Sequence, residues 1–142
     1  MSIRQYVGKT FEVVLVPGAT NQILLFIDWL DSNQQVTGPL DGSVYSSFDC
    51  QASAVPTEKE PRPTPVLTFT AVNLPGVVRA GEVSPHPGAF LLQLDATQSA
   101  AIQDSWIKHG IIDLFGTTPT GQRDYLALGN FTTSMAATRN FA

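Results

Sequence analysis

The residues able to do metal, nucleophilic or acid–base chemistry in this 142-residue chain are few and scattered. A metal site needs imidazole, thiolate or carboxylate donors at short repeats such as i, i+4. His86 lies between two prolines and His109 in a strand-like segment, neither with a partner at that spacing, so each is expected to be structural or exposed. Cys50 is the single cysteine, which excludes an intrachain disulfide and a cysteine-based zinc site. It falls in an alternating segment, where a free cysteine serves as a small buried hydrophobe.

Acid–base work asks two carboxyl groups to converge. Asp28, Asp49 and Asp113 fall in strand-like segments, and Asp31, Asp41 and Asp124 in turns. Strand carboxylates are expected to face solvent and turn carboxylates to bond their own backbone, so no catalytic pair is assigned. No nucleophile elbow is present, and none of the glycines forms a phosphate-cradling strand-to-helix turn. Asn130-Phe131-Thr132 fits the glycosylation pattern and reads as a chance match without a secretory signal. Trp29 and Trp106 invite a sugar-stacking role, but aromatic side chains dominate β cores, and core packing is expected of both. The reading is therefore non-enzymatic: no catalytic residue, no metal, no cofactor and no small-molecule substrate.

Composition narrows the partners. Charged residues are 14% of the chain, against about a quarter in soluble domains, so the polar surface leans on Ser, Thr, Asn and Gln and suits burial against neighbours. The formal charge is −4, and the eight basic residues are spread from Arg4 to Arg139. That leaves no basic stripe for a phosphate backbone, and nucleic acid is not expected as a partner. Membrane association is not expected either, because the longest apolar run, Ile23 to Ile27, is far too short to span a bilayer. The opening Met-Ser-Ile-Arg-Gln-Tyr lacks the apolar core of a signal peptide, so synthesis in a cytoplasm is expected.

The elements that must position these residues are mostly strands. Val13 to Val16 follows Phe11 as a first strand ended by Pro17-Gly18. Ile23 to Leu30 is a second, apolar on both faces as in a central strand, and Asp31-Ser32-Asn33 and Gly38 to Gly42 are turns. Val44 to Ala52 alternates over nine residues, with Val44, Ser46, Phe48, Cys50 and Ala52 on one face. The proline-rich stretch from Val55 to Pro65 reads as an exposed loop, since proline removes backbone donors. Val66 to Val72 is a strand, Asn73 to Gly88 a second long loop, and Phe90, Leu92 and Leu94 alternate in another strand. Asp95 to Ile102 is the one helical piece, with Asp95 or Thr97 as its cap. Trp106 to Phe115 and Tyr125 to Thr133 are the last strands, joined by a turn at Thr117 to Gly121. The spacing predicts a mainly β chain, one antiparallel β-sandwich domain over residues 1–142, with seven to eight strands, one short helix and flexible termini at about 1–8 and 135–142.

The order of segments carries a resemblance. Pro39-Leu40-Asp41-Gly42-Ser43-Val44 leads into an alternating strand, and Pro65-Val66-Leu67-Thr68-Phe69-Thr70 follows. Phe90-Leu91-Leu92-Gln93-Leu94-Asp95-Ala96-Thr97-Gln98-Ser99-Ala100-Ala101-Ile102 joins a strand to a helix. Ile111 to Gly116 then reaches a turn, and Arg123 to Thr133 closes the domain. This run, over most of residues 9–139, resembles small β-sandwich structural proteins of tailed bacteriophages, similar to the N-terminal domain of baseplate upper proteins. The resemblance implies a virion structural protein, made in the host cytoplasm and placed at the tail, baseplate or fibre attachment. Its partners would be other virion proteins and copies of itself. In that setting sheet edges can take a neighbour's strand, and the termini can thread into adjacent subunits, with Ile3, Tyr6 and Phe141 as anchors. A capsid decoration or cement protein shares these features and is the alternative; a carbohydrate-binding module is a more distant one.

Overall fold

Runs of β-branched and aromatic residues at period two build nearly all of the regular structure. In the computed structural model, residues 11–33, 35–54, 66–104 and 109–134 are described. Within them lie nine strands: β1 (Phe11–Leu15), β2 (Asn21–Phe26), β3 (Asp28–Leu30), β4 (Val36–Pro39), β5 (Ser47–Ala54), β6 (Val66–Asn73), β7 (Ala89–Leu94), β8 (His109–Thr117) and β9 (Arg123–Thr133). A 3₁₀ turn covers Gly42–Val44, and the helix α1 covers Ala96–Asp104. The Val55–Pro65 loop, Trp106 and the terminal anchors Ile3, Tyr6 and Phe141 lie outside the described residues.

Seven strands form one sheet in the order β1-β9-β8-β5-β6-β7-β2, and β3 and β4 form a separate two-stranded sheet. The large sheet curls into a nearly closed, barrel-like sandwich. β6 makes the corner, because its first half pairs with β5 (Cys50 opposite Phe69) and its second half with β7 (Thr70 opposite Gln93). Such a strand leaves backbone groups without a ladder on one side of each half. Here the chain supplies the substitute locally. β7 stops at Leu94, Asp95 caps α1 by accepting the Gln98 amide at 2.7 Å, and the Gln98 side chain accepts the Thr68 N–H at 2.9 Å. Asp95 is thus the cap, as one of the two sequence candidates.

The two ends of the curled sheet, β1 and β2, are joined by a tight turn rather than by a ladder. Gly18 adopts φ 84° there, a left-handed conformation that favours glycine. Asn21 clasps the turn through the Val16 amide and the Val16 and Ala19 carbonyls. The fully buried Ser99 hydroxyl, reaching in from α1, accepts from the Gly18 amide at 3.0 Å and donates to the Ala19 carbonyl at 2.6 Å. The helix therefore closes the mouth that hydrogen-bonded strands leave open.

Inward positions form a single core with Leu15, Cys50, Ala52, Leu67, Phe69, Phe90, Leu92, Leu94, Ile112, Leu114 and Phe131. β8 fits its wall by size. Ile112 and Leu114 fill the middle, while the buried glycines Gly110 and Gly116 sit under the rings of Phe131 and Tyr45. A β-bulge between Leu114 and Phe115 leaves Leu126 unpaired in β9 and turns it inward. Gly129 and Phe131 then continue on the buried side with the opposite parity.

Several expectations are corrected. Ile23 to Leu30 is not one central strand: it breaks at Ile27, whose amide bonds the Gly88 carbonyl and whose carbonyl accepts the Leu40 amide. Its first part, β2, is a sheet edge with Leu24 half exposed. Gly38 and Pro39 belong to β4 rather than to a turn. Val44 lies in the 3₁₀ turn, drawn there by the Asp41 carboxylate that accepts the Ser43 amide, and the following strand runs from Ser47 to Ala54. Among the described residues the penultimate strand runs His109–Thr117, two residues past the expected end at Phe115, and Asp124 stands within β9. Nine strands lie among the described residues, close to the expected seven to eight, and one ladder, β1 with β9, is parallel rather than antiparallel.

Two measurements test this packing. A Cβ on Gly110 would collide with the Ser53 carbonyl and sit 2.6 Å from the Phe131 ring, whereas one on Gly76 meets nothing. Gly110→Ala is expected to cost about 1–3 kcal/mol in denaturant unfolding, and Gly76→Ala no more than about 0.5 kcal/mol. Cys50 is 1% exposed, and burial first, then Asp49 and Asp113, pushes its thiol up to about 12. At pH 8 a maleimide is expected to label Cys50 only on the timescale of unfolding, and promptly in denaturant; fast labelling of the folded protein would contradict this core.

Candidate functional site

The segment between β6 and β7, expected only as a long loop, is held by hydrogen bonds along its length. Its ends are pinned by backbone: the Leu74 amide bonds the Ala89 carbonyl, and the Gly42 amide bonds the Pro87 carbonyl. Asn73 adds its side-chain amide to the Pro87 and Ala89 carbonyls. At Gly88 three strands of chain cross so closely that a Cβ would lie 2.7 Å from both the Ile27 and Leu40 carbonyls. Further out, Val78 and Pro85 form an isolated bridge, and the Glu82 amide bonds the Arg79 carbonyl across a turn with Gly81 at φ 89°. Glycine at that third position is what a type II geometry requires.

Side chains then tie this loop to the β2–β3 junction. His86 is 3% exposed, its Nε2 lies 2.8 Å from one Asp28 oxygen, and its Nδ1 accepts the Gly88 N–H at 3.0 Å. The Gly88 contact assigns the tautomer: Nδ1 carries the lone pair, and Nε2–H donates to Asp28. Arg79 donates to the second Asp28 oxygen at 3.0 Å and forks onto one Glu82 oxygen at 3.2 and 2.7 Å. Glu82 first, then Asp28, push the Arg79 guanidinium further toward its charged form. The Arg79 guanidinium also lies 5.6 Å from the Phe26 ring centre, and His86 meets that ring edge-on at 5.4 Å. An outward-facing phenylalanine on an edge strand is thereby roofed by the loop.

A histidine and an aspartate in contact invite a comparison with acid–base machinery. A triad leaves one imidazole nitrogen facing the nucleophile while the carboxylate holds the other. Here Gly88 and Asp28 occupy both nitrogens, so the imidazole offers no free nitrogen to Ser84, which lines the same cleft. The dyad works as a clamp.

What the clamp holds is an open cleft of about 470 Å³ between the β3–β4 hairpin and the loop. Asp28, Val36, Gly38 and Pro39 line one wall, and Arg79, Glu82, Val83 and Pro85 line the other. Val83 at the loop tip is 97% exposed, and Val36 across from it is 62% exposed. A second groove of about 470 Å³ runs over β1 and β9, between Glu12, Val14, Asn130 and Thr132.

The remaining sequence candidates are accounted for one by one. Asp49 and Asp113, on neighbouring strands, are each engaged: Arg123 binds Asp49 at 3.0 Å while stacking 3.8 Å over Phe115, and Tyr125 donates to Asp113 at 2.8 Å. Asp31 and Asp41 bond their own turns, but Asp124 accepts from Tyr45 at 2.8 Å instead. His109 is exposed, and Trp29 is half-buried against the core. Among the described residues no three His, Cys, Asp or Glu side chains gather as a metal ion requires, and no helix is long and apolar enough to cross a membrane. Sequence reasoning missed the Asp28–His86 contact, which joins residues 58 apart. The Arg79-Ala80-Gly81-Glu82 turn was its one local signal.

If the clamp holds the loop, Asp28→Asn should loosen it selectively. Losing charge-assisted bonds of about 1.5–3 kcal/mol, the variant is expected to exchange its Glu82 and His86 amide hydrogens at least about tenfold faster. Amides of β8 and β9 should be unchanged; uniform acceleration would mean that the network supports the whole fold rather than the loop.

No protein-family model matches this chain, and a comparison with curated proteins finds no match.

Proposed function

We propose that the chain is a non-enzymatic structural protein of a tailed-bacteriophage virion, working at the tail, baseplate or fibre attachment through contacts with other virion proteins and with copies of itself. The observation that carries this reading is the clamped loop, which displays Val83 almost wholly to solvent beside Val36 and an open cleft. An exposed loop held by a buried histidine, a shared carboxylate and a forked arginine has already lost the entropy that binding would otherwise remove. Apolar tips on a rigid frame are the composition of a protein–protein contact, and their exposure in an isolated chain is unfavourable. The low charge of the chain and the resemblance of residues 9–139 to phage β-sandwich proteins point the same way. On this reading the imidazole and carboxylates hold backbone in place and react with nothing.

Quantitative mass spectrometry of purified virions tests the proposal. The expected result is a small, fixed ratio of this chain to the major capsid protein. Val83→Glu should leave the melting temperature unchanged and lower incorporation severalfold. An amount comparable to capsid would assign a decoration role instead, and complete absence from particles would remove the virion reading.

A further inference from the structure

The cleft between the β3–β4 hairpin and the loop has a definite chemistry. Two carboxylates, Asp28 and Glu82, face one guanidinium, Arg79, and His86 carries a single ring proton because its Nδ1 accepts from Gly88. The cleft thus has one negative charge in excess, with Glu82 the more exposed carboxylate, at 38% against 17% for Asp28. Its rims are apolar: Val36 and Pro39 on the hairpin, Val83 and Pro85 on the loop. β4 pairs only with β3 in its sheet, so among the described residues its other edge is open to an added strand. The volume, about 470 Å³, is that of a site for a few side chains. The fitting occupant is an extended segment with a cation flanked by apolar residues.

We propose that this cleft seats residues 1–10 of a second copy of the chain, with Arg4 against Glu82 and with Ile3 and Tyr6 on Val83 and Val36. This rests on the reading that the protein works through subunit contacts. Charge complementarity selects the segment. Residues 1–10 carry Arg4 and Lys9 and no acid, the first carboxylate being Glu12, in a chain whose formal charge is −4. Residues 135–142 hold one cation, Arg139, with no apolar neighbour on either side of it. Topology places the segment well. β1 runs parallel to β9, and the antiparallel ladders from β9 round to β2 make β1 and β2 run in opposite directions. Phe11, where the segment joins, and Asp28, at the cleft, therefore lie toward the same end of the barrel. Ten residues reach up to about 33 Å when extended. Two copies meeting at that end can each give and receive a segment, a reciprocal contact of the kind that closes a symmetric dimer.

Site-directed crosslinking of full-length protein tests this. Ile3→Cys and Val83→Cys copies are mixed and treated with a short bis-maleimide; Cys50, buried and with its thiol pushed up to about 12, stays silent. Val72→Cys, half exposed on the outer face of β6, replaces Val83→Cys as the collision control. The expected result is a covalent dimer joining positions 3 and 83 at least tenfold above that control, reduced by Arg4→Glu and retained by Arg4→Lys. Equal yields with both acceptors would overturn the proposal. So would a link that forms within an Ile3→Cys/Val83→Cys double variant but never between mixed copies, which would put the segment in its own chain. Absence of the 3–83 link in a protein present in virions would refute this seat and leave the structural role standing. Absence of the chain from virions refutes that role whatever the crosslinks give.

Discussion

One strand, β6, belongs to two ladders, and the rest of the architecture depends on how the chain copes with that. Its first half pairs with β5 and its second with β7, so at the changeover Thr68 has no strand on the β7 side to take its amide. Thr68 is exposed, so water could take that amide, but the chain supplies a partner of its own and so ties the helix to the corner. The following strand ends at Leu94, and the helix it becomes returns Gln98 to that amide. Because α1 must lie there, Ser99 reaches the β1–β2 turn and satisfies the Gly18 amide and Ala19 carbonyl. A single short helix thereby serves both the corner and the mouth of the barrel, and the sheet curls without closing its last ladder.

The same economy of polar groups governs the other end. Asp28 stands where β2 breaks into β3, and its two oxygens go to His86 and Arg79. That sharing ties the loop between β6 and β7 to the hairpin without any apolar core of its own. The loop is held by its paired polar groups and by Asp28, while the exposed Val83 and Val36 face solvent. Val83 and Val36 are consequently left outward, in a place where folding gains nothing from them. The clamp does not require their exposure, since it would hold equally well over polar tips, and the proposed contact role is what gives that exposure a use.

Much of this was legible in the residues. Alternation pointed to β5 and β7 and put Cys50 inside, and a helix capped by Asp95 or Thr97 followed from local rules. What failed to show was anything set by contacts distant in the chain. The apolar run from Ile23 to Leu30 looked like a buried central strand because Leu24 and Phe26 are as apolar as Ile23 and Leu25. Yet Leu24 is exposed at an edge, and Phe26 is covered only because Arg79 and His86 arrive from far along the chain. The β1–β9 pairing was equally hidden, since a parallel ladder between the first and last strands leaves no mark in either. For the candidate site the limit was sharper. His86 between two prolines could be read only as structural or exposed, because its carboxylate partner is 58 residues away.

Pairing of charge inside the fold also bears on what kind of partner the surface can take. Arg123 is occupied by Asp49 and Phe115, and Arg79 by Glu82 and Asp28. Both arginines among the described residues are thus engaged, while the carboxylates at the cleft retain a small excess of negative charge. On the proposed reading, recognition rests on shape and apolar contact, with one cation on the partner to fix register. A sparse charge pattern of this kind gives slow, weakly steered encounter and places the affinity in the dissociation step. On the proposed reading of a chain working among fixed neighbours, that is the favourable regime, because proximity assures capture and the contact must provide permanence.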